Sequence, residues 1–242
     1  MRLSTEMLPG RANDVSRDRG LRSIGLADGP SRRSDVGARR DSSGNAGDQE
    51  LATQLRELLT VLAQGQAVQR TPQRIVITGV HTETEASILT MSLAMTCANS
   101  GYRVLLVDAN YVRPTVHRHL GLSTKLGLST LLSSSDPPHA LPQATAVPNL
   151  AAITIGPDCL NWSSLLTREH LFHRLEPLAS SFDYMLVDCG ALAPSLVGRI
   201  SALADNVLVA VKQHVSSMRE LANIVDTLRG EGVKEPAILM IE

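Results

Sequence analysis

The stretch "RIVITGVHTETEASILTMSLA", residues 74–94, decides the fold of this chain. It begins with a run of apolar residues that is typical of a buried strand, and it ends with apolar residues at helical spacing. Between the two lies the loop "GVHTETEAS", residues 79–87. A strand, a short loop and a helix in this order form the first part of a β-α-β unit, so the stretch predicts a parallel sheet covered by helices.

The alternation of strand and helix continues to the end of the sequence. The later apolar runs are short and unbroken, which is typical of strands buried on both faces of a parallel sheet. We therefore predict an α/β fold, a doubly wound and mostly parallel sheet flanked by helices. Strands are predicted at 74–79, 102–110, 149–156, 183–190, 205–212 and 236–242, helices at 85–100, 163–180, 193–204 and 215–230, and one long irregular connection at 121–147.

The amino-acid composition restricts what the protein binds. Hydrophobic residues make up 43% of the chain and aromatic residues only 2%, so the core is built from Leu, Val, Ile and Ala. A surface that stacks nucleic-acid bases needs exposed aromatic side chains, which this composition does not supply. The formal net charge of −1 gives no general attraction to polyanions. No nucleic-acid partner is expected.

The cysteines and the hydropathy pattern indicate a reducing, cytoplasmic setting. No two of Cys97, Cys159 and Cys189 have the spacing of a metal or redox site. No apolar run approaches the ~18 residues of a transmembrane helix. The N-terminus also lacks the apolar stretch of a signal peptide. Any association with a membrane is therefore expected to come through a partner.

Changes in composition divide the chain into three regions. Residues 1–48 are rich in Arg, Asp, Ser and Gly, which bury too little apolar surface to fold, so we predict a disordered tail. Residues 49–73 contain leucines at helical spacing and then a short linker, which predicts an N-terminal helix. Residues 74–242 hold the alternating strands and helices and form the α/β domain.

Chemically functional residues follow three of the predicted strands. The first strand runs into the loop that opens at Gly79, the second ends in Asp108 and Asn110, and a later strand ends in Asp188. In an open α/β sheet, ligands bind at the carboxyl ends of the strands. These residues therefore form the candidate binding site.

The sequence at these strand ends resembles the bacterial tyrosine kinases and chain-length regulators of exopolysaccharide synthesis, which are P-loop ATPases of the deviant Walker type. The most specific match is "YRVLLVDANYVRPTVHRHLGLSTKLGLSTLL", residues 102–132. It keeps the family's Asp108, Arg113 and Pro114, whereas Asn110 replaces the second aspartate of the motif.

A second match is "FDYMLVDCGAL", residues 182–192. It keeps the family's aspartate as Asp188, but Gly190 and Ala191 stand where the family has two prolines. The resemblance covers about residues 50–242 and implies a P-loop NTPase-like fold.

The resemblance places the loop that opens at Gly79 at the position of the family's phosphate loop. In a working loop, glycine N–H groups surround the phosphates, a lysine neutralises them and a Ser or Thr hydroxyl holds Mg²⁺. In the aligned sequence Ser87 takes the hydroxyl position and Ala86 the lysine position, while Glu83 and Glu85 take the two glycine positions. The loop thus lacks its positive charge and carries two carboxylates where phosphates would lie.

Three interpretations of this loop are open. In the first, it is a degenerate loop in a domain that neither hydrolyses nor transfers phosphate. Two like charges ~4 Å apart repel by about 4 kcal/mol at an effective dielectric constant of ~20, which would weaken nucleotide binding by roughly two to three orders of magnitude. In the second, a residual ATP–Mg²⁺ site uses the helix N-terminus, Ser87 and the two strand-end aspartates, and Mg²⁺ screens the glutamates. In the third, His81, Glu83 and Glu85 bind a metal ion. We favour the first, so no cofactor and no metal are expected.

The N-terminal helix carries part of a further family motif. The resemblance implies a Glu-x-x-Arg-x-x-Arg helix that packs against the next subunit of a ring. At that spacing this chain has Glu50, Thr53 and Arg56, two of the three residues. Glu50 and Arg56 are therefore the predicted interface residues of a homo- or hetero-oligomeric ring.

The departures from the family pattern favour a protein without kinase activity. The family's autokinases carry a tyrosine cluster in a C-terminal tail, whereas the tyrosines here, Tyr102, Tyr111 and Tyr184, lie beside predicted strand ends. We expect a catalytically inactive regulatory or interaction subunit of exopolysaccharide biosynthesis and export. The resemblance implies that its partner is a membrane polysaccharide copolymerase, which would hold it at the inner membrane. The alternative is an active ATP-binding tyrosine kinase or partition-type ATPase.

Overall fold

The computed structural model describes residues 2–6, 23–25, 53–60, 72–81, 85–134, 138–159, 161–168 and 171–241. The strands of this part of the chain are β1 (Arg2–Glu6), β2 (Ser23–Gly25), β3 (Gln73–Gly79), β4 (Val104–Asp108), β5 (Gln143–Ala144), β6 (Leu150–Ile153), β7 (Tyr184–Asp188), β8 (Asn206–Lys212) and β9 (Ala237–Ile241).

These strands form one sheet in the order β2-β1-β9-β8-β3-β7-β4-β6-β5. The run from β9 to β6 is parallel throughout. The strands β1, β2 and β5 pair antiparallel at the two edges. The first strand of the α/β domain, β3, lies between β7 and β8, so the carboxyl ends of β4, β7, β3 and β8 are neighbours.

Helices supply the crossovers that parallel strands require. They are α1 (53–60), α2 (Ala86–Asn99), α3 (Val116–Leu120), α4 (Leu128–Ser133), α5 (Trp162–Arg168), α6 (Leu171–Leu175), α7 (Pro194–Ser201) and α8 (Met218–Gly230), with 3-10 turns at Pro138–Ala140 and Glu176–Ser181.

The sheet divides the core into two apolar layers. In β4, Leu105 and Val107 contribute to the layer formed with α4 to α8. Val104 and Leu106 point the other way, into the layer formed with α1, α2 and α3. This alternation follows from the two-residue period of a strand, and it explains why every residue of β4 is apolar except its last, Asp108.

The fold predicted from the sequence is confirmed, with differences in the helices. All six predicted strands are present and parallel. In the predicted helix 163–180, residues 163–168 and 171–175 are helical, residues 169–170 lie outside those described, and Glu176–Ser181 is a 3-10 turn instead. Pro177 explains part of this difference, since it has no N–H group to continue an α-helix. The predicted irregular connection 121–147 contains α4 and β5.

The predicted disordered tail, residues 1–48, contains β1 and β2, and the remaining residues of this range lie outside those described. For those remaining residues, the disorder stays a prediction. The predicted N-terminal helix is represented by α1. Among the helices of the described residues, none has the length and apolar character to cross a membrane.

Candidate functional site at the carboxyl ends of β3, β4 and β7

Two aspartates end neighbouring strands at the centre of the sheet. Asp108 is the last residue of β4 and Asp188 the last residue of β7, and they are partners in the register of the two strands. Both are fully buried. The parallel register thus brings together two carboxyl groups that are 80 residues apart in the sequence.

One oxygen of each carboxyl group accepts a hydrogen bond from the backbone N–H two residues further along the chain. Oδ1 of Asp108 accepts a hydrogen bond from the Asn110 N–H at 3.1 Å, and Oδ1 of Asp188 accepts one from the Gly190 N–H at 2.9 Å. The Oδ2 atom of each aspartate is buried. The Val116 N–H beside Asp108 and the Ser87 hydroxyl beside Asp188 each lower the pKa of the neighbouring carboxyl group and so partly offset burial.

Burial makes ionisation of this pair unfavourable. It raises the pKa of Asp188 to about 6, against an ordinary value of 3.8. Burial and the neighbouring charge of Asp188 raise the pKa of Asp108 well above the same value. Two adjacent buried carboxylates therefore favour a form that carries a proton, unless a cation compensates their charge.

Asn110 connects this pair to helix α2 through its side-chain amide. Its Nδ2 donates hydrogen bonds to the Ser87 Oγ at 3.2 Å and to the Arg113 carbonyl oxygen at 3.0 Å. Its Oδ1 accepts one from the Arg113 N–H at 3.1 Å. The Ser87 hydroxyl in turn lies against Asp188 and lowers the pKa of that carboxyl, partly offsetting the effect of burial.

The structure describes residues 79–81 and 85–87 of the loop before α2. Glu85 has φ 53°, in the left-handed region, and it precedes the first residue of α2 without capping it through its side chain. Its carboxylate binds the Lys212 Nζ at 3.2 Å. Ala86, at the position of the family's lysine, is 4% exposed. Glu83 lies outside the described residues.

These positions revise the expected electrostatics of the loop. The sequence predicted that the carboxylate of Glu85 faces the phosphate position uncompensated, whereas the structure pairs it with Lys212. Sequence reasoning missed Lys212, because the sequence shows that it ends a strand but not that this strand lies beside β3. It is the last residue of β8, and the carboxyl end of β8 lies beside that of β3.

A small cleft of about 170 Å³ opens above these residues. The predicted site residues Glu85, Ala86, Ser87 and Asn110 line it together with Arg113. Gly79, at the end of β3, is joined to a lining residue of the cleft, since its N–H donates a hydrogen bond to the Gly190 carbonyl oxygen at 2.6 Å. The predicted site residues that the structure describes are thus brought to one place.

The metal site considered for His81, Glu83 and Glu85 gains no support from this geometry. The Glu85 carboxylate is bound to Lys212, and the His81 Nε2 lies 3.4 Å from the Ser216 Oγ. Within the described residues, no group of three or more His, Cys, Asp or Glu side chains is arranged to hold a metal ion.

The residues present do not fit the nucleotide and Mg²⁺ that the family resemblance implies. Ala86 offers no charge to the phosphates. The Ser87 oxygen, the expected Mg²⁺ ligand, accepts a hydrogen bond from the amide N–H of Asn110, and an N–H group repels a cation. Both parts of a magnesium–phosphate site are therefore altered.

Of the predicted interface residues, Arg56 is described and Glu50 is not. Arg56 lies on the exposed face of α1, opposite the buried Leu55, Leu58 and Leu59. Its side chain is placed where a second subunit could contact it.

Comparison with known proteins identifies the relatives of the chain. It is 30% identical over 161 residues to the tyrosine-protein kinase Ptk of Acinetobacter johnsonii, covering 66% of this chain and 22% of that protein. The chain is homologous to bacterial tyrosine kinases. The chain also matches the putative tyrosine-protein kinase CapB of Staphylococcus aureus, with 29% identity over 114 residues, which cover 47% of this chain and 50% of CapB.

A solved structure gives the same result. The BceF tyrosine kinase domain superposes on this chain with a TM-score of 0.66 and 27% sequence identity, covering 81% of this chain and 76% of that domain. The chain spans about a fifth of the length of Ptk. No protein-family model matches the chain. The resemblance read from the strand-end motifs is confirmed.

Proposed function

We propose that this kinase homologue is a catalytically inactive regulatory or interaction subunit of exopolysaccharide biosynthesis and export. In this function it docks to a membrane polysaccharide copolymerase and is held at the inner membrane by that partner. The homology to bacterial tyrosine kinases supports a role in exopolysaccharide biosynthesis and export. The altered site supports the absence of phosphoryl transfer.

The observation that carries the proposal is the missing positive charge in the loop before α2. Ala86 occupies the lysine position, and the lysine that does reach the loop, Lys212, is bound to Glu85. Transferring phosphoryl groups depends mainly on positioned positive charge, because the transition state carries charge on the phosphoryl oxygens. A domain with this loop keeps the shape of the kinase fold without its main source of catalysis.

Equilibrium titration with a fluorescent ATP analogue and Mg²⁺ tests the proposal. We expect no binding by the wild-type protein at micromolar analogue. The double variant Glu85→Gly with Ala86→Lys restores a glycine and the lysine, and we expect its affinity to be roughly two to three orders of magnitude higher than that of wild type.

The single variant Glu85→Gly is the matched control. It removes the carboxylate and releases Lys212, but it adds no lysine to the loop. We expect it to bind the analogue much more weakly than the double variant. Micromolar binding by wild type, together with ATP hydrolysis that is lost in Asp108→Ala, would overturn the proposal in favour of an active kinase or partition-type ATPase.

A further inference from the structure

We propose that the side-chain amide of Asn110 takes the place of a divalent cation in this protein, as a permanent bridge between the loop 109–113 and helix α2 that keeps metal ions off the two aspartates. This inference rests on the proposed function in one respect, since both require that the family's cation is not used. One of its tests adds only a metal ion and the other adds no ligand. Neither test therefore depends on a nucleotide or on a partner.

The amide is fixed in one orientation by its partners. Nδ2 faces the carbonyl oxygen of Arg113, and Oδ1 faces the N–H of the same residue. Exchanging the two atoms would place oxygen against oxygen and N–H against N–H, so the hydrogen bonds themselves determine which atom points at Ser87. The atom that points at Ser87 is therefore a donor.

This donor holds the position that a cation would need. A metal ion bound to the Ser87 oxygen would lie beside the positively polarised N–H of Asn110, whose Nδ2 is 3.2 Å from that oxygen, and the two would repel. The amide also supplies what the ion would supply, a positive partial charge between Ser87 and the strand ends. Arg113, Asn110, Ser87 and Asp188 thus form a connected row from β4 through α2 to β7.

Gly190 shows that the site is built around this amide. Its φ of 51° lies in the left-handed region, and a Cβ atom at this position would lie 2.2 Å from the Asn110 Nδ2 and 2.3 Å from its Cγ. Any larger side chain would therefore displace the amide. The two departures from the family pattern, asparagine for aspartate at 110 and glycine for proline at 190, are in direct contact.

The Asn110 bridge orders the loop 109–113 whether or not a ligand is bound. A bridge made by a metal and a nucleotide exists only while they are bound, whereas the Asn110 bridge is always present. The loop that carries the exposed Val112, 54% accessible, and the neighbouring Arg113 is therefore held in place without a metal ion or a nucleotide.

Titration with MgCl₂ alone tests the bridge. Asn110→Asp removes the donor and adds a third carboxylate, whereas the control Asn110→Ala removes the donor and adds no charge. Trp162 is the only tryptophan and stacks on Tyr111, next to residue 110, with ring centroids 5.6 Å apart, so its fluorescence reports on this loop. We expect a saturable change in Asn110→Asp, with a Mg²⁺ affinity at least about tenfold above that of wild type and of Asn110→Ala. Equal responses of all three proteins would overturn the proposal.

A double-mutant cycle tests the same bridge without metal. Gly190→Ala is made in the wild-type protein and in Asn110→Ala, and the thermal midpoint is measured for all four proteins. The strain of an alanine at positive φ is common to both backgrounds, so it cancels. We expect Gly190→Ala to lower the midpoint clearly more in wild type, where the amide is in the way. Equal losses in the two backgrounds would show that the glycine does not serve the amide and would overturn the proposal.

Discussion

At the scale of single residues, the site keeps two acids side by side at the ends of neighbouring strands. Asp108 and Asp188 are fully buried, and burial raises the pKa of Asp188 to about 6 and that of Asp108 well above its ordinary value. For an acid with a raised pKa, the folded state binds more protons than the unfolded state between the two pKa values. The contribution of Asp188 to stability is therefore largest below the unfolded pKa of 3.8, decreases as the pH rises above that value, and is lost above about 6.

The variant Asp108→Asn should consequently stabilise the protein at alkaline pH. The amide has the same shape and can still accept the Asn110 N–H, but it carries no charge. We expect a gain in the free energy of unfolding on the order of 1–2 kcal/mol at pH 8 and a smaller gain at pH 4.5, measured by urea unfolding. Asp226→Asn, on the exposed face of α8, is the control and should change little. A loss of stability at pH 8 would mean that the Asp108 charge is compensated in solution.

At the scale of elements, the sequence predicted the strands better than the helices. A strand buried on both faces is an unbroken apolar run, and none of the helices in the described part of the chain has that pattern. The segment 163–180 contains apolar residues at helical spacing, but Pro177 ends its regular hydrogen bonding, and the resulting 3-10 turn is fixed by contacts with β3 that no local pattern shows.

Arg74 makes those contacts from the second residue of β3. It is only 5% exposed, forms an ion pair with Glu176, and lies over the Phe172 ring with its guanidinium carbon 5.3 Å from the ring centroid. Arg74→Ala should lower the free energy of unfolding by about 2–4 kcal/mol, since it leaves a hole and frees the turn. Urea unfolding at pH 7 measures this loss. Arg103→Ala breaks the more exposed pair with Asp183 and should cost much less, and equal costs would contradict the anchoring role.

The candidate site was predictable only where it depends on features that the sequence shows directly. Strand ends are visible in the sequence, so Asp108, Asn110 and Asp188 could be placed at one edge of the sheet. The pairing of Lys212 with Glu85 depends on which strands are neighbours, and strand order is not written in the apolar pattern. The contact of Asn110 with residue 190 depends in addition on a backbone angle that only the folded loop shows.

At the scale of the whole molecule, the described residues are held together by contacts within the chain. Two apolar layers cover the two faces of the sheet, and the loops at the carboxyl ends of β3, β4 and β7 are tied to one another by hydrogen bonds within the chain. Under the proposed function, the protein acts through the surfaces that it presents, and the exposed face of α1 is the interface predicted from the sequence.

The predicted ring interface on α1 can be tested because its two faces are separate. Leu55, Leu58 and Leu59 bury one face in the core, whereas Arg56 points away from it. Arg56→Glu should therefore leave the thermal midpoint unchanged but lower the average mass in sedimentation equilibrium, because a charge reversal in an interface leaves two like charges facing each other. Arg219→Glu reverses an exposed arginine on α8 and should leave the mass of the assembly as it is. If both variants sediment like wild type, the family's ring contact through this helix is not made by this protein.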